Sequence, residues 1–288
     1  MINLKRIAVI GVNYASEAAA LRFAASLSRV ASIDSAEVKL IIVDNSDTND
    51  RKQLFLQINN VMKDAICVKS PRNLGYFGGA RLGLQTYNDL FGVADWTIIC
   101  NVDIEFNEPD FFQKLPKCPA ADIGVIAPAI ISVRASRDLN PYMPTRPARE
   151  QMLIYKYLFS NYFLSTAYET LAAAWHIFYR KDIHHNKSGN HFSADIYAPH
   201  GSCIIFSKSY FQSGCDLNYP IFLFNEEVFV AESAAKNSLR IVYLPLLRVT
   251  HSEHVTTGTI RSKKIAARMA ESSKYIYNQY FKKQKPTQ

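Results

Sequence analysis

Four short apolar runs, separated by helix-patterned stretches, constrain this chain more than any other feature. Arg6–Val12, Val38–Val43, Ala65–Lys69 and Trp96–Cys100 are each nearly unbroken in their hydrophobicity. Unbroken runs mark strands buried on both faces, as in a parallel sheet, whereas half-exposed strands alternate. Between the first two runs, Ala18 to Val30 places Leu21, Ala24, Ala25 and Leu27 at helical spacing. Strand and helix in alternation predict right-handed crossovers and an α/β fold with a mostly parallel, Rossmann-like sheet. Further strands are expected at Ile123–Pro128, Gly201–Phe206 and Arg240–Pro245. With 288 residues, 48 % of them hydrophobic, the chain has enough core for one large α/β domain with additions or for two small ones.

Charge and cysteine usage narrow the function. Of a formal net charge of +8, +7 falls between Arg261 and Gln288, so the body is close to neutral and no basic groove for nucleic acid is expected. The five cysteines, Cys67, Cys100, Cys118, Cys203 and Cys215, share no CxxC spacing and read as reduced thiols. No run approaches the roughly 18 apolar residues of a membrane span. Met1 to Arg6 leads into a strand without a signal-peptide pattern, so a cytoplasmic location is expected.

Chemistry-bearing residues cluster at the ends of these strands. Asn101-Val102-Asp103 follows the fourth run, where open α/β sheets place their ligands. A carboxylate there can hold a divalent cation against phosphate oxygens, although Asn and Asp also end strands because they turn well. The third run leads into Pro71-Arg72-Asn73-Leu74-Gly75-Tyr76-Phe77-Gly78-Gly79-Ala80-Arg81-Leu82-Gly83. Such a turn lets backbone approach a phosphate or ribose, yet it matches neither GxGxxG nor a P-loop. Glu226-Glu227 follows an aromatic run; it reads as a dipole-favoured helix start or as an acid–base pair. His251 ends the last strand segment, in Val249-Thr250-His251.

In this order the segments resemble family 2 glycosyltransferases of the nucleotide-sugar-dependent GT-A type, notably bacterial rhamnosyltransferase-like and polysaccharide-building members. The matching pieces are Val12-Asn13-Tyr14, Val43-Asp44-Asn45-Ser46, Asn73 through Gly83, Asn101-Val102-Asp103, Glu226-Glu227 and Pro245 to His251. The resemblance implies a GT-A fold and a metal-dependent inverting transfer of sugar from a nucleotide-diphosphate sugar to a glycan or polyprenyl-diphosphate-linked acceptor. It places Asn13 and Tyr14 beside the nucleotide, Asp44 on the base, and Asn73, Gly75, Gly79 and Arg81 along the ribose and diphosphate. Asp103 corresponds to the last acid of the DxD motif and Asn101 replaces the first. Asp103 and His251 would hold Mg²⁺ or Mn²⁺, and Glu227, with Glu226 as its competitor, would be the base. Arg81, Phe229 and Ser233 depart from the family pattern, which points to a subgroup.

Two other classes compete. A nucleotidyltransferase would carry a glycine-rich start at the first strand, where this chain has Asn13-Tyr14-Ala15-Ser16-Glu17. A non-catalytic carbohydrate or scaffold module would not need Asp103, Glu226, Glu227 and His251. His184, His185, His191 and His200 do not have the spacing of a metal site. The expected organisation is a catalytic domain at 1–258 with an aromatic helical insertion at about 141–192, then a basic amphipathic helix at 259–288. On that helix Ile265, Met269, Ile276 and Tyr280 share one face, which either lies on an anionic membrane surface or packs on the domain.

Overall fold

The computed structural model describes residues 4–31, 36–48, 50–118, 122–164, 166, 193–252 and 263–282. Ten strands form one sheet: β1 (Lys5–Asn13), β2 (Ala36–Asp44), β3 (Ile66–Lys69), β4 (Trp96–Asn101), β5 (Ile104–Glu105), β6 (Ile123–Ser132), β7 (Arg137–Asp138), β8 (Ala194–Asp195), β9 (Cys203–Ser207) and β10 (Arg240–His251). Their order is β3-β2-β1-β4-β9-β6-β10-β5, with β7 paired to β6 and β8 to β10. The first four pair in parallel, as their apolar runs imply. β9 is antiparallel to both β4 and β6, and β5 to β10, so the sheet as a whole is mixed.

Two reversals around β9 restore direction, and β6 and β10 point the same way as β1 to β4. One rim therefore collects the carboxyl ends of β1, β2, β4, β6 and β10 together with the amino end of β9. That rim is where the chemistry-bearing residues meet.

Helices cover both faces. Along β1, Ile7 and Val9 join one core while Ala8, Ile10 and Val12 join the other, as a pleat requires. The first core takes α1 (Glu17–Ala31), α2 (Lys52–Val61) and α4 (Phe111–Lys114). The second takes α3 (Tyr76–Phe91), α5 (Arg149–Ser160), α6 (Lys208–Gln212), α7 (Glu226–Lys236) and α8 (Lys263–Ile276). Phe23, Phe106, Phe111 and Phe112 lock α1 and α4 to the sheet, with ring centroids 5.1 Å apart for Phe106 and Phe111. Burying each such ring stabilises by about 1.5–3 kcal/mol.

Two strands outrun their prolines. β6 continues past Pro128 to Ser132, and β10 past Pro245 to His251. The β6–β10 ladder breaks between Leu244↔Pro128 and Arg248↔Ala129, so the missing proline N–H falls where no rung is needed. The bulge is what delivers His251 to the rim.

α8 packs on the body. Ile276 is fully buried, Ile265, Met269 and Tyr280 are half-buried, and the helix continues through a π-type turn, Tyr277–Phe281, whose ends are buried. Its neighbour is α5. The apolar face expected on this helix is thus covered by protein, leaving Lys263, Lys264 and Lys274 exposed. Of the aromatic insertion, residues up to 164 are described, and His184, His185 and His191 lie outside the described residues. The two ends of the stretch meet at a neck: Met143 and Ala198 exchange backbone hydrogen bonds at 3.1 Å, and the His200 N–H donates to Asn140 Oδ1 at 2.8 Å. No described helix is long and apolar enough to cross a membrane. The five cysteines are free thiols.

Candidate active site

Asn13 and Asp44 close the paired ends of β1 and β2 and are both fully buried. Asp44 Oδ1 accepts from Asn13 Nδ2 at 2.8 Å and from the Ser46 hydroxyl at 2.6 Å, while Arg51 Nε stands 2.8 Å from Oδ2. Arg51 also pairs with Glu17 at the start of α1. Asp44 is therefore committed to its neighbours. Tyr14 and Asp47, both exposed, instead border an open cleft of about 460 Å³, together with Ala15, Glu17, Ser46, Thr48 and Arg51. The Tyr14 hydroxyl donates to Asp47 at 3.1 Å, and this bond and partial burial raise its pKa.

The turn into α3 approaches this cleft through glycine. Gly75 has φ +76°, and the Phe222 carbonyl occupies the space where a Cβ would stand, so both conformation and contact demand glycine. Asn73 Oδ1 accepts from the Gly75 N–H at 3.0 Å, and Asn45 Nδ2 donates to the Gly75 carbonyl at 2.8 Å. Gly79 and Gly83 face β1 and β2. Arg81, two residues from each, lies on the opposite side of the helix; it is exposed and donates to Asn218 at 2.6 Å, and so does not join the cluster.

Asp103 and His251 meet because β5 pairs with the last two residues of β10, setting His251 opposite Ile104. His251 Nε2 lies 3.1 Å from Asp103 Oδ1, but the two are not aligned as a hydrogen bond. Asp103 Oδ1 and His251 Nδ1 are buried without hydrogen-bond partners among the described residues. One carboxylate and one imidazole leave most of an octahedral shell for diphosphate oxygens and water, a donor set that fits Mg²⁺ or Mn²⁺. No group of three or more His, Cys, Asp or Glu is gathered for a metal among the described residues. Asn101 flanks the pair, its N–H donating to the Ser202 carbonyl at 3.0 Å. His200 stacks edge-on between Tyr142 and His251, at 5.3 and 6.3 Å.

Glu226 and Glu227 open α7 after a turn in which Phe224 and Asn225 both have positive φ, +77° and +61°. A phenylalanine there is strained. Glu226 is 5 % exposed, and no cation pairs with either acid among the described residues. Burial, and then the Glu227 charge, raise the Glu226 carboxyl to about 8. Glu227 is raised by burial and drawn back by its own amide and that of Gly201, against which it packs. As a residue Glu227 is half-buried. Tyr76, whose hydroxyl donates to the Gly201 carbonyl at 2.8 Å, ties α3 to this corner.

Sequence reasoning missed Arg51, Ser46 and Tyr76. Ser46 had a signal, since Asp-x-Ser after a strand often forms such a local turn; Tyr76 reaches Gly201 and Arg51 reaches Glu17 across long sequence separations.

This architecture is the GT-A fold of nucleotide-sugar transferases. Its solved neighbours include GalNAc-T7 crystallised with UDP, GalNAc and Mn²⁺, at TM-score 0.62 and 13 % identity over 97 % of this chain and 50 % of that one. TarS of S. aureus matches at 0.52 and 10 % identity over 96 % of this chain and 44 % of its own. The mannosyltransferase PcManGT of Pyrobaculum calidifontis, in complex with GDP-Man and Mn²⁺, matches at 0.50 and 11 % identity over 96 % and 70 %. The chain thus spans about half the length of the first two. In sequence it is 23 % identical over 252 residues to the low-salt glycan biosynthesis hexosyltransferase Agl10 of Haloferax volcanii, covering 88 % of this chain and 69 % of that protein. No protein-family profile matches the chain.

Proposed function

We propose that the chain is a family 2 glycosyltransferase that moves a sugar, with inversion, from a nucleoside-diphosphate sugar to a glycan or polyprenyl-diphosphate-linked glycan during surface-polysaccharide assembly. The observation that carries this reading is the juxtaposition on one rim of the Asp103–His251 pair with Glu226, which is buried, and Glu227, neither of which has a counter-cation among the described residues. Tyr14, Asp47 and the Gly75 turn bind the nucleotide, and Asp44 positions them through Asn13 and Ser46. Asp103 and His251 would hold Mg²⁺ or Mn²⁺, which when bound neutralises charge on the departing diphosphate. The acceptor hydroxyl attacks the anomeric carbon; its oxygen forms the new bond, the bond to phosphate breaks with its electron pair leaving on the nucleoside diphosphate, and Glu227 takes the hydroxyl proton. Glu227 suits this role better than Glu226 because, as a residue, it is the less buried of the two.

The test is purified protein with Mg²⁺ or Mn²⁺ against UDP-, dTDP- and GDP-sugars, reading nucleoside diphosphate release and the product's anomeric configuration by NMR. EDTA-sensitive release from one donor class with an inverted product is expected. Release indifferent to EDTA, or a retained configuration, overturns the mechanism. The exposed Lys263, Lys264 and Lys274 of α8, with exposed Ile154, Tyr157, Phe163 and Leu164 of the insertion, suit peripheral attachment to an anionic membrane on the cytoplasmic side. Sedimentation with phosphatidylglycerol vesicles but not with neutral ones is expected; equal sedimentation with both removes this placement.

A further inference from the structure

We propose that Ser272, on the C-terminal helix α8, is a positioning residue for the acid pair, acting by clamping the left-handed turn from which Glu226 and Glu227 project. This rests on the glycosyltransferase reading above.

Ser272 is fully buried although its side chain is polar, so its hydrogen bonds must be made within the protein. Its hydroxyl donates to the Phe224 carbonyl at 2.7 Å and accepts from Asn225 Nδ2 at 2.7 Å. The Tyr219 hydroxyl lies 2.8 Å from both Ser272 Oγ and the Phe224 carbonyl. With one proton and two lone pairs, the serine hydroxyl is then fully used. Its partners are the two residues with positive φ that immediately precede Glu226. A Phe held at φ +77° costs on the order of 1–3 kcal/mol and persists only where its surroundings over-determine it. Ser272 and Tyr219 supply that constraint.

The same loop reaches the donor side. The Arg268 guanidinium, one turn before Ser272, sits 4.5 Å over the Phe222 ring, and the Phe222 carbonyl fills the space beside Gly75. One face of α8 therefore sets the turn that touches the nucleotide-side glycine at one end and bears the acids at the other. Without the clamp, Phe224 relaxes toward negative φ and rotates the start of α7, moving Glu227 from its place against Gly201.

The experiment compares the full chain with Ser272→Ala and Tyr219→Phe, using nucleoside diphosphate release from UDP-glucose and GDP-mannose with Mn²⁺, calorimetric binding of UDP and GDP, and the pH profile of kcat. Ser272→Ala is expected to lower kcat roughly tenfold, the scale of a lost buried hydrogen bond, with KM for donor and nucleotide affinity within about twofold. Its acid limb should move to lower pH as the freed acids meet water. Tyr219→Phe should shift the same quantities in the same direction by less, which keeps the test decisive if Ser272→Ala does not fold. Phe224→Gly, which removes the strain, should restore part of kcat in the Ser272→Ala background. Wild-type kcat and pH profile in both single variants, or kcat, KM and melting temperature falling together with an unmoved profile, overturns the proposal. Glu227→Gln assayed alongside separates the two levels: if it stays active, the functional reading fails; if it is inactive while Ser272→Ala is normal, only the positioning role fails.

Discussion

Two regions of the same rim treat buried charge in opposite ways. On the donor side Asp44 is fully buried, yet Arg51 faces one oxygen while Asn13 and Ser46 donate to the other. On the acid side Glu226 is also buried, but its neighbour is a second carboxylate, and two successive left-handed residues carry it. The first region cancels its charge and, on the proposed reading, gives the nucleotide a fixed floor. The second leaves its acids without a counter-cation, so burial raises their proton affinity, which on the proposed reading suits a base for a hydroxyl.

The contrast breaks most visibly at Arg51. Arg51→Leu leaves Asp44 buried without its counter-charge, a loss of about 3–5 kcal/mol, so the melting temperature should drop by roughly 10 °C. A melt within 2 °C of wild type, on the order of half a kcal/mol, would show that the donor side does not depend on that compensation. Next in size, Glu227→Gln should cut transfer roughly a hundredfold or more while keeping donor binding and leaving the melt almost unchanged. Asp103→Ala should instead lose metal-dependent donor binding, measured by calorimetry with Mn²⁺. Donor affinity preserved in Asp103→Ala removes the assigned metal role.

The smallest effect concerns Glu226. Its carboxyl rises from 4.5 to about 8 on folding, so the folded protein keeps a proton that the unfolded chain has released across that window. Stability contributed by this group is present at low pH and is lost as pH climbs toward 8. Glu226→Gln escapes that loss. Its melting temperature should exceed wild type by roughly a few degrees at pH 8.5 and equal it near pH 4.5, checked by scanning calorimetry. An unchanged difference across that range would mean the acid is not held against its charge.

What was legible in the sequence was the part governed by local pattern. Apolar runs marked β1, β2, β3 and β4, since burial on both faces needs unbroken hydrophobicity. The glycine turn into α3 and the strand-end Asp103 were legible for the same reason. The antiparallel placement of β9 was not, because Cys203–Ser207 is as apolar as its parallel neighbours and direction is decided by the connection. Pro245 suggested the end of a strand, and only the bulge over Pro245–Leu247, opposite the unbroken Pro128–Ala129 step of β6, allows β10 to continue. Phe224 gives no hint of a left-handed backbone, and Ser272 reads as part of a polar helix face until Tyr219 and Asn225 are brought to it. Arg81 satisfied the glycine-rich pattern yet faces outward, since spacing along a helix sets its side and a motif does not.

The neck at Asn140, Met143, Ala198 and His200 bears on how the chain tolerates a change of length. Because Met143 and Ala198 clasp each other, the ends of the stretch that carries α5 and β8 are already closed. Lengthening a loop closed in this way costs only about 0.6 kcal/mol per doubling. Asn13, Asp44 and Gly75 lie outside that stretch, whereas β8, Met152 and Ile196 tie its two ends into the sheet and core. A change of length beyond the neck is therefore expected to leave the strand ends that carry Asn13, Asp44 and Asp103 in register.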